Sequence, residues 1–306
     1  MNQHVPVLLK ESVDLLVTRK DGIYFDGTIG FGGHSSEILN RLNYKGKLVA
    51  TDKDADAFDY CKKKFGNDKR FSIYNTSFSD ISTISKIEFI EKFDGIFVDL
   101  GVSSYQLDNL KSGFTFREDA PLDLRMNKKA GITAAKVLNT FSYEQIANII
   151  FEYGEEKNSK MIAKKIVEYR DITKFESSNQ LKELIKKITP EKYLTKTLSR
   201  VFQGLRIYVN NELEELKIFL EKSIEHLRVG GRIVVLTYHS LEDRIVKEKF
   251  KYETLKCICP PGTPICICNK QQKLKLVNSK PIYPDDEEIK LNKRSRSAKL
   301  RAAERV

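Results

Sequence analysis

The sequence predicts an α/β protein: a doubly wound parallel sheet interrupted by an all-helical insertion. Three observations carry this. Short apolar strands alternate with helical segments over roughly the first hundred residues. That rhythm stops between Gly113 and Leu205, where no good strand signal is found. It resumes with a helix and a fifth strand, ahead of a loop-rich tail.

The elements follow in order. Gly22–Asp26 reads as a short apolar strand that runs into the glycine-rich stretch Gly27-Thr28-Ile29-Gly30-Phe31-Gly32-Gly33. His34–Leu42 then shows a helical face of Ile38, Leu39 and Leu42. Lys47–Thr51 is a second strand ending at Asp52, and Ala55–Phe65 a second helix. Arg70–Tyr74 is a third strand. Phe93–Leu100 is a fourth, almost wholly apolar as buried parallel strands are. In the interruption, Lys157–Tyr169 pairs Ile162 with Ile166 and Ala163 with Val167 at helical spacing. Asn179–Ile188 sets Leu181, Leu184, Ile185 and Ile188 on one stripe behind a cap at Ser177 or Ser178. Glu212–Leu227 is a Leu-rich helix stopped by Gly230-Gly231, and Arg232–Thr237 is the fifth strand. The expected domains are therefore 1–112 with 206–306, and an inserted helical domain at 113–205.

Lys+Arg number 53 against 42 Asp+Glu, so 53 − 42 = +11. An excess of that size suggests a polyanionic partner, and the tail ends in a basic run from Lys290 to Arg305. With 41% hydrophobic and 31% charged residues, disorder throughout is excluded. No apolar run approaches a membrane span, and Met1–Val7 lacks the pattern of a signal peptide. The expected compartment is the cytoplasm, where 5 Cys stay reduced.

Several residues can carry chemistry. A glycine-rich turn between a first strand and its helix lets backbone N–H groups approach a ligand; the bland reading is a turn that needs glycine for its own geometry. Asp52 lies 52 − 32 = 20 residues beyond Gly32, where a carboxylate accepts hydrogen bonds from ribose hydroxyls. Asp99 ends the fourth strand, where it can hold a cationic ligand, accept a proton, or merely cap a turn. Phe78 can stack on a purine or belong to the core. Tyr238–Arg244 reads either as a helix start, with Ser240 and Asp243 as the capping pair, or as a site where His239 meets substrate. Cys257, Cys259, Cys266 and Cys268 form two C-x-C pairs about a Pro/Gly turn. They can surround Zn²⁺ or be incidental thiols of an apolar loop, so no metal ligand is assigned.

With these residues in hand, the chain resembles the bacterial small-subunit rRNA cytosine-N4 methyltransferases of the MraW type. The motifs run along nearly the whole chain: His4–Leu9, Asp26–His34, Asp99–Ser104 with Gln106, Leu122–Met126, Tyr153–Glu156, Phe202-Gln203 with Leu205–Ile207, and His239–Arg244. The resemblance implies a Rossmann-like class I methyltransferase sheet with an inserted helical domain. It implies S-adenosylmethionine as cofactor, with Gly32, Gly33, His34, Asp52, Phe78, Asp99 and Gln106 lining its site. It implies one decoding-region cytidine of 16S rRNA, within the small ribosomal subunit, as substrate. One departure matters. Many amino-methyltransferases carry an Asp/Asn/Ser-Pro-Pro-aromatic motif after the fourth strand, whereas Asp99 here precedes Leu100-Gly101-Val102. The group that accepts the N4 proton is thus not legible, and Asp99 is the candidate catalytic residue.

Two rivals deserve comparison. A nicotinamide-dependent oxidoreductase also needs a glycine loop and an acidic residue, but explains neither the +11 charge nor the later motifs. A noncatalytic RNA-binding factor needs the charge but no cofactor pocket. The insertion is expected to wall the substrate side of the crevice, with Asp123, Arg125, Arg206 and Asn210 either holding a flipped cytosine or tying the domains together. The basic tail is expected to add sequence-independent RNA affinity. Oligomeric state stays open, a homodimer among the options.

Overall fold

The computed structural model describes residues 6–102, 113–263 and 265–306. Seven strands form one sheet in the order β3-β2-β1-β4-β5-β7-β6. They are β1 Ile23–Asp26, β2 Lys47–Thr51, β3 Phe71–Tyr74, β4 Phe93–Asp99, β5 Leu227–Thr237, β6 Leu274–Leu276 and β7 Lys299–Arg305. Strands β1 to β5 run parallel, while β7 is antiparallel to both β5 and β6. This is a Rossmann-like, doubly wound sheet with an antiparallel strand pair at one edge. From β1 the chain proceeds to β2 on one side and the sheet continues through β4 on the other, so a crevice opens beyond their carboxyl ends.

The pleat sorts the core into two faces. Phe25, Ile96 and Val98 pack with Ile81 and Ile84 of α4 (Ile81–Ile87), Phe219 and Leu220 of α10 (Glu212–His226), and Val246 and Phe250 of α11 (Ser240–Glu253). Tyr24, Phe97 and Val234 point the other way, onto Leu16 of α1 (Leu9–Leu16) and Ile38 and Leu39 of α2 (Gly33–Arg41). Each fully buried apolar side chain of this kind contributes about 1.5–3 kcal/mol. The helix α3 (Ala55–Phe65) covers Ala50 with Cys61.

The chain divides into two compact units, Met1–Gly101 with Leu213–Val306, and Val102–Glu212. The second contains α5 Ala134–Thr140, α6 Tyr143–Glu152, α7 Ser159–Arg170, α8 Ser178–Ile188 and α9 Glu191–Asn210. Its core joins Ile146 and Ile150 of α6, Ile162 and Ile166 of α7, Leu181 and Ile185 of α8, and Val201 and Leu205 of α9. Gly154 and Gly204 let α6 and α9 meet closely. A Cβ on Gly204 would lie 3.0 Å from the Gly154 nitrogen, and one on Gly154 would lie 2.5 Å from the Arg200 carbonyl. Helix α9 is continuous across position 205, so the second unit ends after Glu212 and not within that helix.

The tail departs from the sequence reading. It is less loop-rich than expected, and part of its basic run is packed inside: β7 lies between β5 and β6, and Arg301 is buried against Asp243. Only local periodicity was legible there, and a lone antiparallel strand gets its partners from afar. Gly230-Gly231 does not separate helix from strand either. Both lie inside β5, in a bulge opposite Asp94 where the register with β4 jumps from Phe93↔Leu227 to Gly95↔Arg232. Among the described residues, no helix is long and apolar enough to cross a membrane.

Candidate functional site

The site is built at the carboxyl ends of β2, β1 and β4, three neighbours in the sheet. Asp26 closes β1 and is completely buried. It organises the glycine loop: Ser35 Oγ donates to one of its oxygens at 2.6 Å and the Thr28 N–H to the other at 3.1 Å. Burial nonetheless pushes its carboxyl up to about 6. Thr28 Oγ1 in turn accepts the Asp99 N–H at 2.6 Å, tying the loop to the end of β4.

The loop glycines do different jobs. Gly32 has φ +76, and a Cβ there would lie 2.5 Å from the Phe65 ring. A Cβ on Gly33 would lie 2.3 Å from Pro6 Cγ. Close packing by the protein itself therefore demands glycine at both. Gly30, at φ +50, has nothing within 4 Å on its Cβ side. Its N–H donates to Asp52 at 2.8 Å, so the loop is docked onto the end of β2.

Asp52 is half-buried, and its other oxygen accepts the Asp54 N–H at 2.8 Å. Burial outweighs both backbone donors and raises its carboxyl to about 6. Asp99 is also half-buried. Burial raises it to about 7, against the opposing donation from Tyr238, whose hydroxyl lies 2.8 Å from Oδ1. His34 is buried. Its Nε2 faces the Val7 carbonyl at 3.1 Å and must donate to it, while Nδ1 stands 3.8 Å from Asp99 Oδ2. Beyond burial, Asp26 raises both Asp52 and Asp99 electrostatically, with Asp54 adding to the first and Glu242 to the second. Such a cluster favours a cationic ligand with hydroxyl groups, which supplies the charge and donors that the protein withholds.

Phe78 follows β3 and opens the 3₁₀ turn Phe78–Asp80, capped by Ser77. Its ring packs edge-on to Phe219 at 5.0 Å and is half-buried, so core contact occupies at least part of it. Gln106 lies outside the described residues. The structure thus brings Gly32, Gly33, His34, Asp52, Phe78 and Asp99 to the carboxyl end of the sheet. Sequence reasoning missed Tyr238 as partner of Asp99 and Asp26 as the loop's organiser. A buried-looking Asp directly before a glycine loop was the available signal for the second; the first has none, because 139 residues separate the pair.

Other candidates fall elsewhere. His239, not Ser240, is the N-cap of α11, and Glu242 turns back to accept the Tyr238 N–H at 2.9 Å. Arg125 donates to Asp123 at 2.7 Å. Arg206 makes a two-pronged pair with Glu212 at 2.9 Å. Asn210 donates to the Leu124 carbonyl at 2.8 Å and accepts the Met126 N–H at 2.8 Å. These side chains tie down the 122–126 loop and the C-terminal end of α9 inside the second unit, which occupies the groups expected to hold a base. The second unit does carry a cleft of about 310 Å³ lined by Phe141, Tyr153 and Tyr208 with Gln145 and Asn148.

The whole chain, residues 1–306, matches the family described as the MraW methylase family. A protein of Caldicellulosiruptor saccharolyticus named ribosomal RNA small subunit methyltransferase H is 48% identical over 307 residues, covering 100% of both chains. Proteins of the same name from Fusobacterium nucleatum subsp. nucleatum and Clostridium botulinum strain Kyoto are 46% and 44% identical. Each alignment covers 99% of this chain, and respectively 97% and 99% of the relative.

Proposed function

The chain belongs to the MraW methylase family, and on that premise we propose that it methylates N4 of a decoding-region cytidine in 16S rRNA of the small ribosomal subunit, with S-adenosylmethionine as donor. The observation that carries the reading is the grouping of Asp52, Asp99 and the glycine loop at three adjacent strand ends. The residues fit that donor: Asp52 offers a half-exposed carboxylate for ribose hydroxyls, and Gly30 leaves open space beside it. Gly32, Gly33, His34, Asp52, Phe78, Asp99 and Gln106 line the donor site in this reading. When bound, S-adenosylmethionine supplies an activated sulfonium methyl group.

The protein's own work is positioning and charge. Cytosine N4 is a poor nucleophile because its lone pair is delocalised, so it must be aligned and its amine protons drawn to an acceptor. Asp99 is the acceptor, and its carboxyl near 7 suits a group that takes a proton at neutral pH. The Tyr238 hydroxyl holds it in place through Oδ1. The base must also leave its stack, which costs a few kcal/mol in a duplex and less in a loop. The helical unit, through Phe141, Tyr153 and Tyr208, offers rings for bases to stack on and amides to meet their edges. Exposed Lys290, Lys293 and Arg296 remain for phosphates, whereas Lys299 and Arg301 are spent on Asp243.

The test is methyl transfer from labelled S-adenosylmethionine to free 16S rRNA, 30S particles and 70S ribosomes, followed by nucleoside mass spectrometry. N4-methylated cytidine at one position is expected. Methylation at a ring carbon or a ribose hydroxyl, or none on any substrate, overturns the assignment. Tyr153→Ala with Tyr208→Ala should lower rRNA methylation while donor affinity stays near wild type; loss of both together removes the helical unit from substrate recognition.

A further inference from the structure

The loop between α11 and β6 presents four thiols that the methyl-transfer site does not use. Cys257 and Cys266 are exposed, and Cys259 and Cys268 half-buried. All four sulfurs lie within 4.8 Å of one another. Cys257–Cys266 is 3.6 Å, Cys259–Cys266 3.9 Å, Cys266–Cys268 3.5 Å and Cys257–Cys268 3.7 Å. Four sulfurs at about 2.3 Å from a tetrahedral ion stand about 3.8 Å apart, which is the spacing found. A disulfide needs about 2.05 Å, far shorter than any of these pairs.

Two further observations point to a bound ion. Backbone N–H groups aim at sulfur: Ile258 N–H at Cys268 Sγ and Cys259 N–H at Cys257 Sγ, each 3.3 Å. Such donors stabilise sulfur that carries negative charge. The loop also has no core of its own. Ile265 and Ile267 are more than three-quarters exposed, and Ile258 nearly half. A segment that buries so little needs a staple to keep one shape. Its ends are already held together, with Lys273 N–H donating to the Glu253 carbonyl at 2.9 Å and Lys270 Nζ to the Glu253 carboxylate at 3.0 Å.

We propose that Cys257, Cys259, Cys266 and Cys268 form a structural tetrathiolate Zn²⁺ site that ties the two C-x-C pairs together. Four ligands close the coordination sphere, so no position is left for water or substrate and the role is structural. Binding exchanges four S–H bonds for four Zn–S bonds and releases four protons to solvent; the sulfurs are neither oxidised nor reduced. The soft, all-sulfur tetrahedral set excludes Mg²⁺ and Ca²⁺ and selects Zn²⁺ over oxygen-seeking ions. The proposal stands apart from the methyl-transfer reading, because neither site shares a residue with the other.

The experiment measures metal in the full chain purified under reducing conditions without added metal. Elemental analysis should find about one Zn²⁺ per chain, and next to none in Cys257→Ser/Cys268→Ser. Should that variant fail to fold, the wild type still decides: Zn²⁺ displaced by a mercurial reagent, which is then removed with excess thiol, should leave a protein that binds Co²⁺ with the intense visible bands of tetrahedral thiolate cobalt. Native protein that holds no Zn²⁺ as purified, with these four thiols reduced and reacting freely with Ellman's reagent, overturns the proposal. So does a mass four daltons low from two disulfides, or iron in place of zinc.

Discussion

Asp99 and Asp243 lie in the same unit, the first half-buried and the second buried, yet they are treated in opposite ways. Asp243 is met by two cations from β7: Arg301 Nε at 2.6 Å and Lys299 Nζ at 3.1 Å. Burial alone would raise its carboxyl, but those hydrogen bonds and charges prevail and hold it below the ordinary range. Asp99 meets a neutral hydroxyl, a histidine at 3.8 Å and further acidic groups, and rises to about 7. A carboxylate that staples strands is compensated by the protein; one kept for a ligand is left for the ligand to compensate.

The largest effect should come from breaking the compensated pair. Asp243→Ala strands Arg301, only 9% exposed, without its partner, and should cost about 3 kcal/mol or more of stability. Chemical denaturation reads this; an unchanged midpoint would show that solvent screens the pair. Asp99→Asn should do the reverse. Removing an uncompensated charge should leave stability equal or higher, while S-adenosylmethionine affinity falls by about 2 kcal/mol, or roughly thirtyfold. Calorimetry giving wild-type affinity in the folded variant would take Asp99 out of the donor site.

pH separates the two groups next. Asp99 and Asp52 are raised in the folded state, so the stability tied to them is fully present below about pH 4 and is lost as pH rises through about 6–7. Donor affinity should move the other way, weakening by up to about tenfold per pH unit below about 7, since the cation needs the ionised carboxylate. Asp99→Asn should flatten that profile, and a slope that persists in the variant assigns it to another group. Asp243 has the opposite sign: its contribution holds above the ordinary Asp value of about 4 and disappears as pH falls below it. The smallest effect is Tyr238→Phe, which removes one hydrogen bond and should cost about 1 kcal/mol of donor affinity. Because that bond favours the charged form, the affinity profile should also shift to higher pH; an unmoved profile would make Tyr238 a packing residue only.

Much of this was open to the sequence because it is local. Strand β4 was legible from an apolar run, α8 from the stripe of Leu181, Leu184 and Ile185, and the crevice from a glycine loop and two acidic strand ends. Helices α1, α4, α5, α6 and α9 were missed. Three are short, and the apolar face of the long α9 is spread among polar residues that settle only against α6 and α8. The sequence by itself therefore determined which segments are strands of a parallel sheet and which side chains end them, since periods of 2 and 3.6 residues and turn chemistry act over a few residues. Tertiary structure alone decided that the basic tail becomes β7, that Tyr238 reaches Asp99, that Phe65 and Pro6 claim the space beside Gly32 and Gly33, and that two C-x-C pairs come within ion-binding distance. Each of these depends on the free energy of contacts between residues far apart in the chain, which no local pattern records.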